Sequence, residues 1–149
     1  MAYDRIDWHS GNNFPRKLPS ENGGTHIGIF LAWIINNDLI GVLHLEHSAE
    51  LIEKVKKRQI TGRDFFIKEC DSKFWTEDLN EEGIEFANFY YSNEDNYGQY
   101  IDDYAEVFND YETLYYVEDN WSNYDLINPV ITKKYKGWKN INSSGYKNK

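Results

Sequence analysis

Cysteine is almost missing from this sequence. A single residue of 149, Cys70, excludes a disulfide framework and a zinc ribbon built from several cysteines. Long hydrophobic runs are also missing. The longest spans residues 27–35, IGIFLAWII, about half the ~20 residues needed to cross a bilayer, so it reads as a buried core element. The first residues, MAYDRIDWHSG, lack a basic stretch followed by an apolar one, so no secretory signal is expected and the expected compartment is the cytoplasm. Lysine and arginine are absent from residues 74–132, and the sequence pI is near 4.9. That argues against nucleic acid as a direct ligand, which needs clustered cations.

What is present is charge segregation and aromatic surface. Residues 1–73 are neutral overall, with 10 basic and 10 acidic residues; 74–132 hold 15 carboxylates; 133–149 hold 6 lysines and no acid. The formal net charge is -9. Aromatics reach 17%, with 12 Tyr and 5 Trp, and hydrophobic residues make up 40%. A chain of this length buries roughly 70% of its unfolded surface, enough for one self-supporting core.

Helix signals dominate. Thr25 is the expected cap of a helix over the apolar run, ending at Asn36-Asn37-Asp38. Ser48 is expected to cap 49–59, with Glu50–Lys54 and Glu53–Lys57 at i,i+4. Thr61-x-x-Asp64 has the capping-box form before a helix at 62–70. Asn80 is expected to cap a helix to 91, Ser92-x-x-Asp95 one to 108, and Ser122 one over 123–138 kinked or restarted at Pro129. Short strands are expected at 3–7, 42–45 or 114–117. The fold class expected is mainly α: a compact single-domain helical fold over 1–138 with room for a minor β component, then a flexible Lys-rich tail at 139–149.

Tyr97, Tyr100, Tyr104, Phe108, Tyr111 and Tyr115 recur at steps of three and four, one face of a helix. Asp102, Glu106 and Asp110 step by four on another face, and each like-charge pair costs a helix about 0.2–0.5 kcal/mol. A solvated face behind a tyrosine core stripe is one reading. The other is a docking surface for a basic partner, with carboxylates steering encounter and tyrosines supplying rigid contact area. On the second reading the contact candidates are Tyr97, Tyr100, Asp102, Asp103, Glu106, Asp110, Glu118 and Asp119.

No catalytic signature emerges, and neither a cofactor nor a bound metal is expected. His44 and His47 flank Leu45-Glu46, a spacing one short of H-E-x-x-H and lacking a third ligand. The segment from Asn93 to Gly98 fails as a calcium loop because Tyr97 and Tyr104 stand where oxygen ligands are required. Gly23-Gly24-Thr25 lacks the Lys-Ser/Thr of a P-loop. Cys70, flanked by Glu69 and Asp71, is a poor nucleophile because like charges disfavour its thiolate. His9 and His26, with Asp7, are the residues an acid–base cluster would use.

The stretches MAYDRIDWHSG, LPSENGGTHIGIFLAW, RQITGRDFF, CDSKFWTEDLNEEGIEFANFYY and YYVEDNWSNYDLI resemble an uncharacterised bacterial domain family. The resemblance runs to about Trp138 and leaves out the Lys-rich end. Small acidic proteins of this kind resemble the immunity proteins of polymorphic toxin and contact-dependent inhibition systems. The resemblance implies a cytoplasmic non-enzyme whose partner is a cognate protein toxin, a basic nuclease domain, with no nucleic acid or membrane partner. The alternatives are a small enzyme built on His9 and His26, and an acidic interaction module for a basic host protein.

Overall fold

The computed structural model describes residues 1–11, 13–92 and 98–147, with side chains through Asn142. It is mainly helical with one small antiparallel sheet. The central element is α1, Thr25–Asn36, in which every residue from Thr25 to Ile35 is buried. A helix apolar on all sides has to be wrapped on all sides, and the rest of the chain does so: α2 (Val42–His47), α3 (Ala49–Lys56), α4 (Gly62–Glu69), α5 (Glu81–Tyr90), α6 (Tyr100–Val107) and α7 (Trp121–Lys147).

The tightest junction is α1 against α4. A Cβ on Gly62 would lie 1.9 Å from the Gly28 carbonyl oxygen, and one on Gly28 would lie 2.3 Å from the Arg63 nitrogen. Only a hydrogen fits at either place. Aromatic rings fill the rest of the core. Phe30 lies 5.0 Å from Tyr91 and 5.2 Å from Tyr100, and Trp33 lies 5.3 Å from Phe86 and 5.2 Å from Tyr135. The Trp33 indole N–H donates to the Thr132 hydroxyl at 3.0 Å, so burial of the ring leaves no unpaired donor.

Strand β1, Ala2–Arg5, pairs antiparallel with β2, Lys73–Trp75. The register steps from Ala2↔Trp75 to Asp4↔Phe74, so Tyr3 is an extra residue in β1. In a regular strand neighbouring side chains face opposite ways. The bulge lets both Tyr3 and Asp4 turn inward, and both are buried.

Local signals read from the sequence hold in several places. Thr61 and Asp64 form the expected capping box, and the Asn80 side chain accepts from the Gly83 N–H at 2.8 Å. Other expectations need correction. Residues 42–45 are part of helix α2, and 114–117 hold a 3-10 turn, Leu114–Tyr116, because neither segment finds a sheet edge to join. Thr25 lies inside α1 and accepts from Arg63 at 3.1 Å. Ser48 stands at the N-cap position of α3 as expected, but its hydroxyl donates to Glu69 Oε2 at 3.0 Å and makes no capping bond. Asn120, not Ser122, caps α7, by accepting from the Asn123 N–H at 2.8 Å. Helix α7 passes through Pro129 and beyond Trp138 to Lys147. Part of the Ser92/Asp95 box lies outside the described residues.

Candidate functional site

Two side-chain clusters and one surface stand out. The first cluster centres on Asp4, which the β1 bulge turns inward. Its Oδ1 accepts from the Arg5 N–H at 2.9 Å and from His9 Nε2 at 2.7 Å. Its Oδ2 accepts from His26 Nε2 at 3.0 Å and from the Tyr91 hydroxyl at 2.6 Å. A carboxylate is acceptor-only, so each imidazole directs Nε2–H at it. His9 Nδ1 lies 2.7 Å from the Tyr115 hydroxyl, on the far side of the ring from Asp4. The His9 and His26 rings meet edge to face at 4.7 Å. Burial opposes the charge on Asp4, but the hydrogen bonds from His26 and His9 outweigh it and hold its pKa well below the usual carboxylate range.

His9 and His26 therefore meet, as the sequence suggested, but their carboxylate is Asp4. Asp7 is turned to the surface and paired with Arg5 at 2.6 Å. Asp4, Tyr91 and Tyr115 were not legible as members, since they lie far from one another in the chain and no spacing links them. Asp4, His9 and Tyr115 are ordered like an acid, a base and a nucleophile. The energetics favour a clamp. Four donors occupy the roughly four lone-pair sites of Asp4. Burial and the Asp4 charge raise the Tyr115 pKa, so its hydroxyl keeps its proton. The cluster ties β1, the turn Ile6–His9, α1, the residue that ends α5 and the turn Leu114–Tyr116 to one buried charge.

The second cluster gathers His44, Cys70 and Asp78. His44 Nε2 lies 2.7 Å from Asp78 Oδ1 and 3.8 Å from Cys70 Sγ, and all three residues are buried. Asp78 Oδ2 accepts the Trp75 N–H at 2.7 Å. Burial, then the nearby Asp78 and Glu69, push the Cys70 thiol pKa far up, consistent with the poor nucleophile expected from its neighbours. His47, which the sequence pairs with His44, is exposed and is not a member of the cluster.

The acidic segment divides into carboxylates that are used inside the molecule and carboxylates that are not. Asp103 accepts from the Tyr90 hydroxyl at 2.7 Å and meets Lys134 at 3.7 Å. Asp119 accepts from the Thr61 hydroxyl at 2.7 Å, and Arg63 Nε approaches it at 3.2 Å off the hydrogen-bond axis. Burial raises the Asp119 pKa against the pull of Thr61 and Arg63. Asp102, Glu106, Asp110 and Glu118 are exposed, and among the described residues none makes a salt bridge.

The tyrosine stripe needs correction as a contact surface. Tyr100 is 1% exposed, and its hydroxyl donates to the His26 carbonyl at 2.6 Å. Tyr104 and Phe108 are buried as well. Helix α6 ends at Val107, so Tyr111 and Tyr115 leave the helical face; Tyr111 is exposed and Tyr115 turns to His9. Tyr97 lies outside the described residues. Among the described residues no helix is long and apolar enough to cross a membrane.

The family model described as "Domain of unknown function (DUF7832)" matches residues 2–117. The chain belongs to this family. No curated protein and no solved structure matches the chain. The matched region takes in both side-chain clusters and α6, and it ends before α7 begins.

Proposed function

We propose that the chain is an immunity protein, a non-catalytic binding protein that neutralises a cognate bacterial toxin domain in the cytoplasm. The partner is basic, and a nuclease is the toxin class that fits. The observation that carries the reading is the set of exposed carboxylates Asp102, Glu106 and Asp110 with no salt bridge among the described residues, on a segment without lysine or arginine. A nuclease holds phosphate in a cleft lined with cations. Carboxylates presented on α6 and the turn that follows it can occupy that cleft in place of phosphates, and their field speeds encounter. Glu118 extends the surface, and Tyr111 supplies exposed aromatic area beside Asp110. Asp103, Asp119 and Tyr100 support this surface from within.

The test is co-expression with the domain that the adjacent gene encodes, read by growth and by size-exclusion chromatography of the pair. The expected result is restored growth and a stable complex. The triple variant Asp102→Lys, Glu106→Lys, Asp110→Lys is expected to slow association by about 10- to 100-fold at low salt and to flatten its salt dependence. Unprotected cells would remove the immunity reading. Protection with unchanged association in the triple variant would keep that reading and move the interface off α6.

A further inference from the structure

We propose that His44, Cys70 and Asp78 form a zinc site. The residues come from three elements: α2, the residue that ends α4, and the 3-10 turn Thr76–Asp78. Their ligand atoms all lie within 4.8 Å of one another. A thiolate, an imidazole and a carboxylate are the three side-chain groups zinc takes, and this mixed set suits zinc over magnesium or calcium, which bind oxygen.

Two of the three spacings lie close to those of a tetrahedral ion. With bonds of about 2.3 Å to sulfur and about 2.0 Å to nitrogen, zinc holds the two roughly 3.5 Å apart, and holds its nitrogen and oxygen ligands roughly 3.3 Å apart. Cys70 Sγ and His44 Nε2 stand at 3.8 Å, and His44 Nε2 and Asp78 Oδ1 at 2.7 Å. Binding asks the carboxylate to withdraw by about half an ångström and the sulfur to close by less. Asp78 is held for this role through Oδ2, which accepts the Trp75 N–H, while Oδ1 faces the imidazole.

His44 Nε2 faces two groups at once. An imidazole nitrogen offers one hydrogen or one lone pair, so it can serve only one of them. A cation at the point of convergence serves all three. The Asp4 cluster does not make the same case, because its carboxylate already takes four donors.

The high thiol pKa has its cause in burial and in two nearby carboxylates. A divalent ion cancels that charge and deprotonates the thiol. On binding, the S–H bond of Cys70 breaks, its proton passes to solvent, and the sulfur's electron pair forms the bond to zinc; the metal's oxidation state does not change. His44 gives up the Nε2 hydrogen it directs at Asp78, takes one on Nδ1 by exchange with solvent, and binds through the freed Nε2 lone pair. Three protein ligands leave a fourth position for water. The site would stitch α2 and α4 to the turn after β2.

The single cysteine makes the test site-specific. Cobalt(II) is titrated into the full, metal-stripped chain and a thiolate-to-cobalt charge-transfer band is followed in the near ultraviolet. One equivalent is expected to saturate the band, zinc to displace it, and zinc in excess to raise the melting temperature by about 5 °C or more. Cys70→Ser is expected to lose the band. If that variant fails to fold, the wild-type titration decides alone, since no other residue can supply sulfur as a thiolate. A wild-type chain that binds cobalt without the band, or binds neither cobalt nor zinc, overturns the proposal.

Discussion

At the residue scale, Asp4 carries the largest stake. It is a buried charge that holds two imidazoles, a phenol and a backbone N–H. Asparagine keeps the shape but replaces one acceptor oxygen with a donor and removes the charge. Asp4→Asn is expected to cost about 2–4 kcal/mol, measured by urea unfolding. The pH dependence follows from the lowered pKa. Unfolded, the carboxyl titrates near 3.9; folded, it titrates lower. Between the two values the unfolded chain binds more protons, so this contribution is complete above the unfolded value and drains away as pH falls toward the folded one. The wild-type urea midpoint is therefore expected to fall more steeply than that of Asp4→Asn between pH 5 and about 3. Parallel curves would mean that Asp4 titrates alike folded and unfolded, and that its hydrogen bonds are not what holds the charge.

At the element scale, the close crossing of α1 and α4 makes opposite predictions for glycines in different helices. Gly62→Ala puts a methyl group on the Gly28 carbonyl, and neither backbone can yield without parting the helices. It is expected to cost about 3 kcal/mol or more. Gly137 lies inside α7 with nothing within 4 Å of an added Cβ. Gly137→Ala is expected to stabilise by about 0.5–1 kcal/mol, because alanine loses less backbone entropy in a helix. Chemical denaturation of the two variants checks the pair, and equal effects would mean that the helices do not cross at Gly28 and Gly62. The same scale shows what the sequence could reveal. The Thr61–Asp64 box and the Asn80 cap are legible because donor and acceptor are three residues apart. Thr25 and Ser48 look like caps locally, but Arg63 and Glu69 claim them, 38 and 21 residues away. The Asp4 and His44 clusters are hidden for the same reason: their members meet only after α1 is wrapped. The tyrosine periodicity holds as one buried face for Tyr100, Tyr104 and Phe108 and fails past the end of α6 at Val107; Phe30 and Tyr91 pack on Tyr100.

At the scale of the whole molecule, the carboxylates of 74–132 divide into those that meet a cation and those that do not. Residues 74–132 hold no cation, yet several of their carboxylates are neutralised from elsewhere: Asp119 by Arg63, Asp125 by Arg58, Asp103 by Lys134 and Glu82 by Lys139. Cations from 1–73 and 133–149 thus pair with these four carboxylates. Asp102 and Glu106, one turn apart on α6, receive none and repel each other. The double variant Asp102→Lys, Glu106→Lys replaces one like-charge pair with another, so a cleaner probe is Glu106→Lys alone, which turns the pair into an attractive one. Glu106→Lys is expected to raise the melting temperature of the free chain by about 1–4 °C at low ionic strength. In about 1 M salt the screening length shrinks to roughly 3 Å and the gain should vanish. Thermal melts at the two salt concentrations measure it. A gain in stability joined to slower association with a basic partner would mark Glu106 as kept for binding at the fold's expense. A loss of stability at both salt concentrations would show instead that the carboxylate supports α6, and that the exposed face owes its charge to the fold.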